Sequence, residues 1–231
     1  MRSTNGNLWQ AIGLTLLALT IAGCAAQNRP QWLAWNQPKE EPAPHVKTGG
    51  ERLEELRKLA SEVKKLPAGD AERISTDLAQ AIPKEQDPLL RAQMIRTLAM
   101  FPTETAGRVL AAGMADSEKD VRIAACEAWG QRGGPEAVQR LSEALNADTN
   151  IDVRLAAARS LGSCPDQKTV AALGLALEDR DPALQRRAVQ SLEKVTGKHY
   201  GNDVVAWREY VQDRDPKPQS ESMVSRIFRR S

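Results

Sequence analysis

A self-similar period of about 31 residues runs through the body of this chain and restricts its fold more than any other feature. Leu90-Arg91, Val121-Arg122 and Val153-Arg154 follow one another at spacings of 31 and 32, and Leu184-Gln185 continues the series with the arginine replaced. Seven residues after each arginine position stands an apolar anchor: Leu98, Trp129, Leu161 and Leu192. Between them lie runs of small residues, Ala124-Ala125-Cys126 and Ala156-Ala157-Ala158. That spacing is helical, and small side chains let neighbouring helices approach closely.

A second helix follows in each unit. Leu110, Leu141 and Leu173 match at one offset, and Met114, Leu145 and Leu177 at another. Breakers separate the two helices: Pro102, then Gly133-Gly134-Pro135, then Cys164-Pro165-Asp166. The Asp-Pro pairs at 87–88 and 181–182 suit an N-cap followed by proline at the first helical position. An aspartate, Asp116, Asp148 or Asp179, recurs where each second helix ends.

These units resemble HEAT repeats, above all the short bacterial type named after phycobilin lyases. The resemblance implies an all-α fold, an α-α superhelix of about four helix pairs. It covers residues 87–197 clearly. Residues 51–82 read as a degenerate capping pair, with Leu53, Leu56, Leu59, Val63 and Leu66 on one helix and Ile74, Leu78 and Ile82 on the other. Residues 203–211 read as a short closing helix whose Trp207 and Tyr210 seal the open end. The repeat domain is therefore expected over 51–212. The 34-residue period and Trp/Gly/Tyr pattern of the rival TPR repeat are absent.

At the N-terminus Arg2 precedes an apolar run from Ala11 to Ala22. Twelve helical residues rise roughly 18 Å, short of a ~30 Å hydrocarbon core, so the run fits a signal-peptide core better than a membrane span. Leu19-Thr20-Ile21-Ala22-Gly23-Cys24 resembles the lipobox of bacterial lipoproteins. That resemblance implies a signal peptide over 1–23, and diacylglycerol and palmitate-type acylation on Cys24. It also implies a place in the cell envelope, on the outer side of the cytoplasmic membrane or in the outer membrane facing the periplasm. Ala25, where a retention aspartate would stand, permits outer-membrane sorting.

Residues 24–50 read as a flexible Pro-rich tether, with Pro30, Pro38, Pro42, Pro44 and Gly49-Gly50. Its reach lies between roughly 28 Å as a coil and ~80 Å as polyproline II. Trp32 and Trp35 suit a lipid headgroup region or a fold-back onto the domain. Residues 213–231 read as a disordered tail with a basic amphipathic end. There Met223, Val224, Ile227 and Phe228 oppose Arg226 and Arg229. This end can fray, touch an anionic membrane or dock on a partner.

Chemistry is harder to find. The 32 basic and 30 acidic residues nearly balance, giving no electrostatic reason for nucleic-acid binding. His45 and His199 stand apart with no cysteine companions, which disfavours zinc. Cys126 aligns with Ala158 as a small buried filler, and Cys164 falls in an inter-helix turn too far away to pair with it. No phosphate loop, GxSxG elbow or HExxH helix appears. The chain is accordingly expected to be no enzyme, to need no cofactor, metal or small-molecule substrate, and to serve as a protein-binding scaffold. The alternative, by family analogy, is a lyase-like accessory protein or enzyme subunit.

Two sets of residues remain. Arg91, Arg122 and Arg154 form either an anion-binding row or, as HEAT resemblance implies, a structural ladder with Asp116, Asp148 and Asp179. The second helices of such repeats line the concave face. On that account Arg108, Ala111, Ala112, Gln139, Arg140, Glu143, Ala171, Ala172 and Leu175 form the candidate partner-binding face, with Val109, Ser142 and Gly174 beside them. The small, apolar third set either admits a partner's backbone or packs against the closing segment.

Overall fold

The computed structural model describes residues 47–214. The signal peptide, Cys24, Trp32, Trp35, most of the tether and the basic end of the tail lie outside the described residues. Within them the chain is helical, with no strand. Ten α-helices follow in order: α1 (Gly49–Glu62), α2 (Ala68–Ala81), α3 (Pro88–Leu98), α4 (Glu104–Gly113) and α5 (Lys119–Arg132). Then come α6 (Gly134–Ala147), α7 (Ile151–Leu161), α8 (Gln167–Ala176), α9 (Pro182–Thr196) and α10 (Val204–Val211).

The caps explain most boundaries. Asp87, Thr103, Asn150, Asp166, Asp181 and Asp203 each accept a backbone N–H from the first turn of the helix that follows. Pro88 and Pro182 stand in first turns, where a missing N–H costs nothing. Between α5 and α6 the chain turns at Gly133, whose φ of 67° excludes most side chains. Gly49 and Gly50, placed in the tether by their flexibility, instead form the first turn of α1. Thr48 and Glu51 make a reciprocal capping box there, which outweighs the poor helix propensity of glycine.

The odd helices α1, α3, α5, α7 and α9 stack side by side in one row, and the even helices form a second. The solenoid core lies between the rows. Leu90, Leu98, Leu110, Val121, Trp129, Leu141, Leu145, Val153, Leu161, Leu173, Leu177, Leu184 and Leu192 are all buried there, as the repeat requires. Met114 is only half-buried, unlike its counterparts Leu145 and Leu177. At the N-terminal end Val63 and Leu78 reach the core, while Leu53, Leu56, Leu59, Ile74 and Ile82 are half-buried, as befits a cap.

The C-terminal end is closed by aromatics. Trp207 is fully buried, donates from Nε1 to the Gly201 carbonyl at 3.1 Å, and meets Tyr200 edge-on at 5.0 Å between ring centres. Tyr210 stands 5.8 Å from both rings. Among the described residues no helix is long and apolar enough to cross a membrane.

Candidate functional site

The recurring arginines are structural. Arg91 grips Asp116 through Nε at 3.1 Å and Nη2 at 3.0 Å. Arg122 grips Asp148 in the same fork at 2.8 and 3.2 Å, and Arg154 pairs with Asp179 through Nη2. Each guanidinium does a second job. Arg91 Nη1 donates to the carbonyls of Glu85 and Gln86, and Arg122 Nη1 to those of Asp116 and Ser117. Arg91 and Arg122 thus each satisfy the turn before their helix and bind the acid in the turn after the next helix, while Arg154 Nε donates instead to the Leu145 carbonyl of α6 at 2.9 Å. Gln185 keeps only the first function, donating to the Asp179 carbonyl at 2.7 Å.

The acids are equally bifunctional. Asp116, Asp148 and Asp179 each accept the backbone N–H two residues on, from Glu118, Asn150 and Asp181. Burial pushes the carboxyls of Asp116 and Asp148 upward. Their arginine and backbone hydrogen bonds outweigh it and hold both below the ordinary aspartate value. For Asp179 the Asp181 amide is the largest cause of the same lowering, followed by Arg154.

A further rung was not legible in the period. Arg52 on α1 pairs with Glu85, whose other oxygen accepts the Asp87 N–H at 3.0 Å. That amide, with Arg52, holds the Glu85 carboxyl below its usual range. Glutamate stands here for aspartate, and Arg52 lies 39 residues before Arg91, off the repeat spacing.

The nine face residues do come together along the second row, in three open grooves. Between α2 and α4 a groove of about 610 Å³ is lined by Arg108, Val109 and Ala112, with Ile82 and Pro83 opposite. Between α4 and α6 a groove of about 330 Å³ takes Ala111, Arg140 and Glu143. Between α6 and α8 one of about 630 Å³ takes Gln139, Glu143, Ala171, Ala172 and Leu175. Leu175 is 64% exposed, among the most exposed large apolar side chains described.

Two residues of the third set do not face solvent as expected. Ala172 is buried at the groove floor, 7% exposed. Gly174 is covered by α10: a Cβ placed on it would stand 2.4 Å from Val211 Cγ1. The closing helix, not a partner, accounts for the small residue at that position. The polar members of the face are engaged along their own helices. Arg108 pairs with Glu104 at 2.6 Å, Gln139 donates to Glu143 at 3.0 Å, and Arg140 stands 3.6 Å from Glu136.

Other candidates for chemistry are quiet. Cys126 and Cys164 are buried free thiols; burial pushes Cys126 up to about 12 and raises Cys164 as well. His199 is exposed, with Nδ1 2.6 Å from Glu193 Oε1. Among the described residues no group of three or more His, Cys, Asp or Glu is placed to hold a metal.

No curated protein matches the chain in sequence. Among solved structures, human deoxyhypusine hydroxylase in complex with glycerol is 25% identical, with a TM-score of 0.49. The match covers 54% of this chain and 44% of that one, so this chain spans less than half of that structure. That neighbour is by its name an enzyme. This overturns the expectation, drawn from missing catalytic motifs, that a chain of this kind is no enzyme, but at this TM-score it assigns no reaction to the chain. The family model described as HEAT repeats matches residues 75–154 and 140–207, together more than half of the 231 residues. With its stacked helix pairs and arginine–aspartate rungs, the chain belongs to the HEAT-repeat family.

Proposed function

We propose that this chain is a lipid-anchored protein of the cell envelope whose second-row face holds another protein. The observation that carries the binding reading is the series of three grooves from α2 to α8, which between them take all nine face residues. Apolar floors with polar rims suit a partner's helix or extended segment. The anchor reading is supported by the apolar run Ala11–Ala22 and the Leu19-to-Cys24 motif. With acyl chains on Cys24, the protein would be held stably on a bilayer at ~0.8 kcal/mol per buried methylene.

The test of the face is in-cell photo-crosslinking from Gln139 and from Leu175. Capture of one and the same protein at both positions, with capture from Gln139 lost in Ala171→Glu with Leu175→Lys, is the expected result. Capture that the double substitution leaves unchanged overturns the reading. The anchor has its own test in mass spectrometry of the mature N-terminus. A chain beginning at Cys24 with added lipid is expected, and an intact Met1 or unmodified Cys24 removes the anchor.

A further inference from the structure

The first row changes character at its last junction. Between α3 and α5, Arg96 reaches Glu127 at 3.0 Å, and between α5 and α7, Lys119 reaches Asp152 at 2.6 Å. At the α7–α9 junction these pairs have no counterpart. Arg159 and Gln190 stand in the register of Arg96 and Glu127, while Ile151 and Ala183 stand in that of Lys119 and Asp152. Instead α9 adds two cations, Arg186 and Arg187. Arg187 occupies the register where Ala124 and Ala156 are buried core residues.

Arg186 and Arg187 line a groove of about 560 Å³ between α7 and α9, together with Leu155, Pro182, Ala183 and Gln190, and Arg159 stands near enough to Arg187 to act on its charge. Among the described residues Arg159, Arg186 and Arg187 have no carboxylate partner. Arg187 Nε is shut off from solvent and donates to nothing. Burial lowers the basicity of Arg187, and the neighbouring Arg159 charge lowers it further. The acids flanking the groove on its two helices are already engaged: Asp152 by Lys119, Asp181 by the Ala183 amide, and Glu193 by His199.

We propose that the α7–α9 groove binds a phosphate monoester, held in the fork of Arg186 and Arg187 with Arg159 adding charge. Guanidinium groups present paired donors that match phosphate oxygens. Two unpaired cations line the groove and Arg159 repels one of them, Arg187; a dianion relieves that excess of positive charge more fully than a single carboxylate. Leu155, Pro182 and Ala183 offer an apolar wall for the organic part of the ester. This chemistry is shared by soluble phosphate esters and by the headgroup of phosphatidic acid.

Calorimetric titration of the full chain with inorganic phosphate and with glycerol 3-phosphate tests the soluble source. Hydrogen exchange of residues 155–160 and 182–190 on phosphatidic acid vesicles, against phosphatidylcholine alone, tests the lipid source. The expected result is binding or protection that falls roughly ten- to a hundredfold in Arg187→Gln, the scale of a lost charged hydrogen bond. It should also fall in the exposed variant Arg186→Gln and persist in Arg57→Gln, which removes a distant charge. Protection on phosphatidic acid only, with no response to soluble phosphates, assigns the headgroup; the reverse assigns a soluble ester. No response in either arm, or an equal loss in Arg57→Gln, overturns the proposal.

Discussion

Gly130 on α5 lies so close to Ser160 on α7 that a Cβ placed on the glycine would stand 2.8 Å from the serine Cβ and 3.1 Å from its Cα. The contact recurs one unit later, where a Cβ on Gly162 would stand 3.1 Å from Ser191 Cβ. The first row is packed against the neighbouring backbone at Gly130 and against a serine side chain at Gly162. Gly130→Ala therefore forces α5 and α7 apart, and a net loss of about 1–2 kcal/mol is expected after helix propensity is counted. Gly69→Ala, with nothing within 4 Å of its new methyl, is expected to stabilise by about 0.5–1 kcal/mol. Urea unfolding of the two variants checks the opposite signs.

The Arg122–Asp148 rung is mostly buried, with side chains 16% and 11% exposed. Arg122→Ala strands Asp148 and frees the carbonyls of Asp116 and Ser117, at an expected cost of about 2–3 kcal/mol. Gln185→Ala, which removes only the carbonyl contact, costs less. A double-mutant cycle of Arg122→Ala with Asp148→Asn is the decisive measurement, since independent groups would add and a rung does not.

The ladder also sets an acid limit. The carboxyls of Glu85, Asp116, Asp148 and Asp179 are all held below their ordinary values in the fold. Such groups stabilise the fold fully above their unfolded pKa, and that contribution is lost as pH falls through the folded value. Stability is expected to be flat near neutrality and to decline below the ordinary values of 4.5 for glutamate and 3.8 for aspartate. Asp148→Asn should flatten that decline in denaturant midpoints measured across the acid range.

Gly174→Ala is expected to displace α10, because its methyl would collide with Val211. Trp207, the buried tryptophan of α10 itself, reports the displacement as a red-shifted fluorescence maximum. Val211→Ala in the same chain should restore the emission, which a general loss of folding would not allow.

Cys126 is expected to resist alkylation at pH 8, being fully buried with its thiol pushed up to about 12. Its labelling rate should rise in step with unfolding of the central repeats, and faster in Arg122→Ala. Labelling at the rate of an exposed thiol in the native protein would contradict this packing.

Much of this architecture is written in the period itself. Arg91, Arg122 and Arg154 recur with Asp116, Asp148 and Asp179 because each pair must span the same helix–turn–helix distance, so their spacing carries the geometry. Arg52 and Glu85 make an equivalent rung with a longer side chain on the acid, which lets the cap leave the repeat spacing unseen. The face residues were legible as a set because the even helices share one register. Ala172 and Gly174 were misplaced for different reasons. Ala172 faces the floor of the α6–α8 groove, and Gly174 meets a closing helix that lies outside the repeat. The Arg159, Arg186 and Arg187 cluster carried no motif; it is visible only as a departure from the pairing of earlier junctions.

The two rows differ in how closely their neighbours meet, and this gives the solenoid a mechanical character. A stack seated closely at two points along one side and grooved along the length of the other has the form of a flexure. Small rotations about the Gly130–Ser160 and Gly162–Ser191 seats would appear on the far side as changes in groove width. Shared among successive junctions, such rotation would widen or narrow the whole face with only slight tilting at each.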